Sequence, residues 1–178
     1  LFVQCDQYLG TITLLVNNAG IVGEATTVRD LKDDILVITS EVDVYGTVYC
    51  TRKAIFRMAK SNGGTGGVII NVYSIAARLG CPGEYVHYAA NKAAVETFTI
   101  GLSKEVGRDG IRVNTLQAGT TDTDLHQRSG NPERPAMVAS TAPIGRVATP
   151  RDIAEGILWL ASPEAGYTNA ALPIAGGL

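Results

Sequence analysis

The sequence predicts an α/β fold, a parallel sheet whose strands are joined by crossover helices. Three observations carry this. Apolar, β-branched runs of strand length recur and close in small or polar residues: Thr13-Leu-Leu-Val-Asn-Asn-Ala-Gly20, Gly67-Val-Ile-Ile-Asn-Val-Tyr-Ser74 and Ile111-Arg-Val-Asn-Thr-Leu-Gln117. Helix-length stretches separate them, the alternation expected of a parallel sheet. The 178 residues, 46% hydrophobic and 18% charged, are ordinary for a globular domain with a single core.

In chain order, the first strand is expected near Ile12–Asn17, then a long helix through Val42–Lys60. Asn62 to Gly67 is a loop by composition. Its glycines lead into a strand rather than out of one, so Gly63-Gly-Thr-Gly-Gly67 is a helix-to-strand connection and not a phosphate loop. A strand over Val68–Val72 places Ser74 at its carboxyl end. From Ala76 to Glu84 a loop is expected, because Gly80, Pro82 and Gly83 break helices. Helix Tyr85–Val106 and strand Ile111–Leu116 follow, then an irregular, mobile segment from Gly119 to Ala148 that includes a loop over Arg128 to Pro135. Helix Arg151–Ala161 has Thr149 placed to cap it and Pro150 at its first position. A short strand near Ala171–Ile174 closes the chain. There is no internal repeat and no linker that would separate domains.

Several function classes are disfavoured. A net charge of −2 leaves no basic footprint for nucleic acid and no polybasic patch for a membrane surface. No apolar run approaches the roughly 20 residues that span a bilayer. No charged and then apolar leader opens the sequence, so no signal peptide is expected. Cys5, Cys50 and Cys81 are scattered and odd in number, which suggests thiols in the cytoplasm rather than a disulfide framework. His87 and His126 are too sparse for an imidazole-rich metal site, and no metal is expected. His87 neighbours Tyr88 in sequence but does not share its helix face, and is read as non-catalytic.

The chemistry concentrates in Tyr88-Ala-Ala-Asn-Lys92. Residues four apart on a helix project from one face. An ammonium beside a phenol favours the phenolate and is expected to lower the Tyr pKa from about 10. Such a Tyr can exchange a proton with an alcohol or carbonyl oxygen. Ser74 stands at a strand end, and open α/β sheets place ligands outside the carboxyl ends of their strands. Asn17, Asn18, Ala19 and Gly20 close another strand. They suit close approach of a ligand, or equally a plain strand-to-loop turn.

Asn-Asn-Ala-Gly, the strand-end Ser, Tyr-x-x-x-Lys and the Ile-Arg-Val-Asn strand occur here in the order seen in the short-chain dehydrogenase/reductase family. The chain resembles the C-terminal two-thirds of such an enzyme. Ala76-Ala-Arg-Leu-Gly80, Pro82-Gly-Glu-Tyr85 and Ile100-Gly-Leu-Ser-Lys-Glu-Val106 resemble bacterial members labelled sugar dehydrogenase or 3-oxoacyl-carrier-protein reductase.

The resemblance implies a Rossmann-like doubly wound parallel sheet with its N-terminal βαβαβ portion missing. Residues 1–178 would then be a single incomplete NAD(P)-binding domain, with Leu1 to Gly10 forming the helix before the first strand. It implies NAD or NADP as cofactor, contacted by Asn18, Ala19, Gly20, Tyr88, Lys92, Thr121 and Thr123. The implied substrate is a small-molecule alcohol or ketone, and the implied assembly a homo-oligomer. Tyr88 would be the general acid/base, Lys92 would lower its pKa and hold the nicotinamide ribose, and Ser74 would bond the substrate oxygen. Asp43 aligns with the family's Asn, which orders a water beside the Lys. Further departures are Tyr73, Asn91, Ala118, Ala170 at a usual Gly position, and a stretch to Gly176-Gly177 that is one residue short. The absent Gly-rich turn and these departures keep a second reading open, a truncated non-catalytic remnant serving as a binding or assembly subunit.

Overall fold

The computed structural model describes residues 1–174 and 176. Four parallel strands form one sheet in the order β1-β2-β3-β4: β1 Leu14–Asn17, β2 Gly67–Ser74, β3 Ile111–Ala118 and β4 Ala170–Ile174. In register, Asn17 pairs with Asn71, Ser74 with Ala118, and Ala118 with Ile174. The carboxyl ends of β2, β3 and β4 therefore finish at one edge, where a site can form.

Helices cover both faces. On one, α3 (Thr47–Met58) and α5 (Val86–Glu105) bury Ala54, Met58 and Leu102 against Ile69 and Val113. On the other, α8 (Pro150–Ala161) packs Ile153 and Leu160 on Ile70 and Leu116. Ile69 and Ile70 are adjacent yet face opposite cores, the period-two alternation of a strand buried on both sides. Each fully buried aliphatic of this kind contributes about 1.5–3 kcal/mol. The start of α8 is closed by a capping box in which Thr149 Oγ1 accepts from Asp152 N–H and the Asp152 carboxylate accepts from Thr149 N–H.

The remaining helices are α1 (Phe2–Leu9), α2 (Asp33–Ser40), α4 (Ala76–Leu79), α6 (Leu125–Arg128) and α7 (Arg134–Thr141). Three expectations are corrected by these. The helical run before β2 begins at Asp33, and between α2 and α3 it passes through a π-helical stretch, Glu41–Gly46. The loop after β2 opens with the one-turn α4, since Gly80 stops a helix at its end (φ 74) without preventing the turn before it. The segment 119–148 is not wholly irregular, because it holds α6 and α7. Strands β2 and β3 also run longer than expected, to Ser74 and Ala118.

Gly66 (φ 87) turns the chain into β2, where a Cβ would lie 2.5 Å from Gly110 O, as a connection rather than a phosphate loop requires. Ala170, at a usual Gly position, has φ 124 and carries the strain that a glycine would relieve. The shortened stretch ending at Gly177 lies outside the described residues.

Candidate active site

Ser74 ends β2, and its hydroxyl accepts from Ala76 N–H at 3.1 Å, which starts α4. Tyr88 and Lys92 follow one turn apart on α5, packed against β2 and β3. These elements bring Ser74, Tyr88 and Lys92 to a single cavity of about 760 Å³ at the carboxyl edge of the sheet. Asn18, Gly20, Thr121 and Thr123 also line it. Ala19 is exposed and is not among the lining residues.

Lys92 is buried, with Nζ 5.4 Å from the centre of the Tyr88 ring and 3.8 Å from Asp43 Oδ1. Asp43 is fully buried within the π-helical stretch and stands behind Lys92, outside the cavity lining. One oxygen, Oδ1, accepts from Ile21 N–H at 2.9 Å, while Oδ2 has no partner. Gly20 leaves room here for two side chains: a Cβ would lie 2.8 Å from Lys92 Nζ and 3.0 Å from Asp43 Oδ1.

The electrostatics differ from the expectation. Burial pushes the Tyr88 pKa well above its ordinary value. The Ser74 hydroxyl draws it down and the Asp43 carboxylate draws it up. The expected depression by Lys92 is absent. The ammonium lies 5.4 Å from the ring centre, burial dominates the phenol, and the field of Lys92 is opposed by Asp43. Burial also lowers the Lys92 pKa and raises that of Asp43, each shift opposed by the other's charge.

His87 is buried and its Nε2 donates to Val22 O at 2.9 Å, a structural bond between α5 and the segment after β1. Tyr73, buried one residue before Ser74, donates to Glu96 Oε1 at 3.4 Å, and Glu96 also pairs with Arg78. Sequence reasoning missed part of the wall: Cys81, Tyr85, His126 and Arg134 also line the cavity. Arg134 gave no local signal, since its partner Glu84 lies fifty residues earlier.

Comparison with known proteins gives a consistent result. The family described as enoyl-(acyl carrier protein) reductase matches residues 1–178. The chain is 43% identical over 178 residues to the uncharacterized oxidoreductase YgfF of Escherichia coli K12, covering 99% of this chain and 72% of that protein. It is 38% identical over 175 residues to the 3-oxoacyl-(acyl-carrier-protein) reductase FabG of Vibrio harveyi, covering 95% of this chain and 67% of that protein. Among solved structures it resembles a gluconate 5-dehydrogenase from Burkholderia cenocepacia J2315 in complex with NADP and tartrate. The TM-score is 0.89 at 26% identity, covering 99% of this chain and 68% of that one.

Proposed function

The chain belongs to the short-chain dehydrogenase/reductase family of oxidoreductases, and on that premise we propose that it interconverts an alcohol and a carbonyl with NAD or NADP. The observation that carries the reading is the convergence of Ser74, Tyr88 and Lys92 on one cavity at the sheet edge.

The residues present fit the nicotinamide half of the cofactor. Gly20 keeps the ground above Lys92 clear of a side chain. Lys92 has the Asp43 carboxylate at 3.8 Å on one side, and an ammonium with three N–H groups has others that can serve a ribose diol. Asn18, Thr121 and Thr123 offer further polar atoms along the cavity. When bound, the nicotinamide supplies or accepts the hydride.

In this reading Ser74 and Tyr88 hold the substrate oxygen. Tyr88 is protonated at neutral pH because burial raises its pKa, so it acts as the proton donor when a carbonyl is reduced. The same phenol takes the proton back when an alcohol is oxidised, so the arrangement serves both directions. Asp43 acts behind Lys92 by setting the charge around it.

The reading extends to a homo-oligomer, because Tyr45, Tyr49 and Phe56 stand exposed along one helical face. Three free thiols suit a cytoplasmic setting. Among the described residues no helix is long and apolar enough to cross a membrane.

The test is NADPH-dependent reduction of a ketone by the polypeptide at the length of its relatives. Tyr88→Phe lowers turnover by about 10²–10⁴-fold with the circular dichroism spectrum retained. Undiminished turnover overturns the assignment.

A further inference from the structure

The cavity has a second cation. Arg134, at the start of α7, lines it together with Lys92. Its Nη1 donates to Glu84 Oε2 at 2.7 Å, and its guanidinium carbon lies 5.8 Å from the centre of the Tyr85 ring. An ion pair on one edge and an aromatic face below fix the plane of the fork, so little freedom remains to be lost when its other edge is used. Among the described residues the fork bonds one oxygen, Glu84 Oε2, through Nη1, and the Cys81 thiol beside it also takes a hydrogen bond from the guanidinium.

The lining around it is of one sign. Lys92 and Arg134 are its formal cations, and it contains no Asp or Glu. Glu84, the partner of Arg134, and Asp43, the partner of Lys92, both lie outside it. Much of the remaining wall is apolar, with Ile75, Leu79, Leu125 and Val138. The charge of Arg134 is felt inside: it draws down the pKa values of Tyr88 and His126, and it opposes the upward push of burial on Cys81.

We propose that Arg134 is a carboxylate subsite and that the substrate is an oxo or hydroxy acid. Its reacting oxygen meets Ser74 and Tyr88, its apolar body lies against Leu79 and Val138, and its carboxylate takes the outer edge of the Arg134 fork. The reacting end rests on the oxidoreductase reading, whereas the anion subsite does not. A planar carboxylate matches the guanidinium with two parallel N–H···O bonds, which a neutral head cannot reproduce. Glu84 orients the fork, and its negative charge tempers the pull of the guanidinium on an anion.

The experiment needs no turnover. Hexanoate and hexanamide, alike in chain and different in head charge, are titrated calorimetrically into the protein at one ionic strength. Hexanoate binds about tenfold tighter than the amide. Arg134→Gln removes that preference, and Arg134→Lys keeps part of it. Glu84→Gln, a change at a half-exposed residue, keeps an oxygen to hold Nη1 but removes the negative charge beside the subsite, and so strengthens hexanoate binding several-fold. Equal affinity for acid and amide, or a preference that survives Arg134→Gln, overturns the proposal. If Arg134→Gln fails to fold, an unchanged hexanoate affinity in Glu84→Gln overturns it in the same way. Loss of the charge preference strikes the subsite alone. Undiminished turnover in Tyr88→Phe strikes the oxidoreductase reading alone.

Discussion

Two buried polar clusters both reach α5 and end differently. In one, Asn17 Nδ2 donates to Thr51 Oγ1 at 3.0 Å and to Asn71 Oδ1 at 2.8 Å. Asn71 Nδ2 donates to Thr99 Oγ1 at 2.8 Å, and Thr99 donates to Val95 O. In the other, Asp43 and Lys92 face each other at 3.8 Å and Asp43 Oδ2 has no partner. Thr99 and Lys92 both lie on α5, about 10 Å apart along its axis. The first cluster ties β1, β2, α3 and α5 together with its side chains paired, which is what a low-dielectric interior demands of a structural network. The second bears two charges held away from water with incomplete pairing. That condition is costly for stability and is characteristic of sites where charge is used. The adjacent π-helical stretch is a further mark of such a site.

The contrast can be broken from either end. Tyr88→Phe, the largest effect on activity, removes the proton donor above the incomplete cluster. Turnover falls about 10²–10⁴-fold while the urea midpoint hardly moves. Asn71→Leu is the largest effect on stability. It strands one Asn17 N–H without its acceptor and costs about 3 kcal/mol, seen as a lower urea midpoint with turnover per folded molecule retained. A Tyr88→Phe protein that unfolds as readily as Asn71→Leu would blur the distinction between the two clusters.

Much of this frame was legible in the sequence, and the reasons are specific. Ile69, Ile70, Val113 and Leu116 sit in continuous apolar runs, and such runs read as buried parallel strands. Ser74, Tyr88 and Lys92 were legible as a group because strand-end position and four-residue spacing are local rules. Helix α2 was not legible, because Ile35, Val37, Ile38 and Thr39 are β-branched and argue against a helix that tertiary packing nonetheless forms. Helices α6 and α7 escaped notice because they are short and lie among glycines and prolines. The sign of the Tyr88 shift was misread because spacing shows that Lys92 is near but not how deeply the phenol is buried. The shift depends on burial and on Asp43, which arrives from a different helix.

Gly20→Ala sharpens the comparison with a smaller effect. The new Cβ would lie 2.8 Å from Lys92 Nζ, so the ammonium must move. Lys92 ends a flexible side chain and can give way, and folding stability therefore changes little. The expected result is a KM for NADPH raised about tenfold, with kcat less affected, because in this reading ammonium placement governs cofactor binding. An unchanged KM would detach Gly20 and Lys92 from the cofactor.

The smallest effect is the most diagnostic. Asp43 raises the Tyr88 pKa through its charge, and it holds the Lys92 pKa up against burial. Reduction needs the protonated phenol, so the rate falls as pH rises through the Tyr88 pKa. Replacing Asp43 by Asn removes the negative charge and lets that pKa fall. Lys92 loses the partner that favours its charged form and deprotonates at lower pH as well. Both changes act in one direction, so the basic arm of the pH–rate profile for ketone reduction moves to lower pH. The Asp43 pKa is itself raised by burial, so at pH values below it the carboxyl is already neutral and the two profiles coincide there. A pH–rate profile of reduction by the wild-type protein and Asp43→Asn, both at the length of the relatives, decides the matter. Profiles that superimpose throughout, or a basic arm displaced to higher pH, would show that this buried carboxylate does not set the charge of the site.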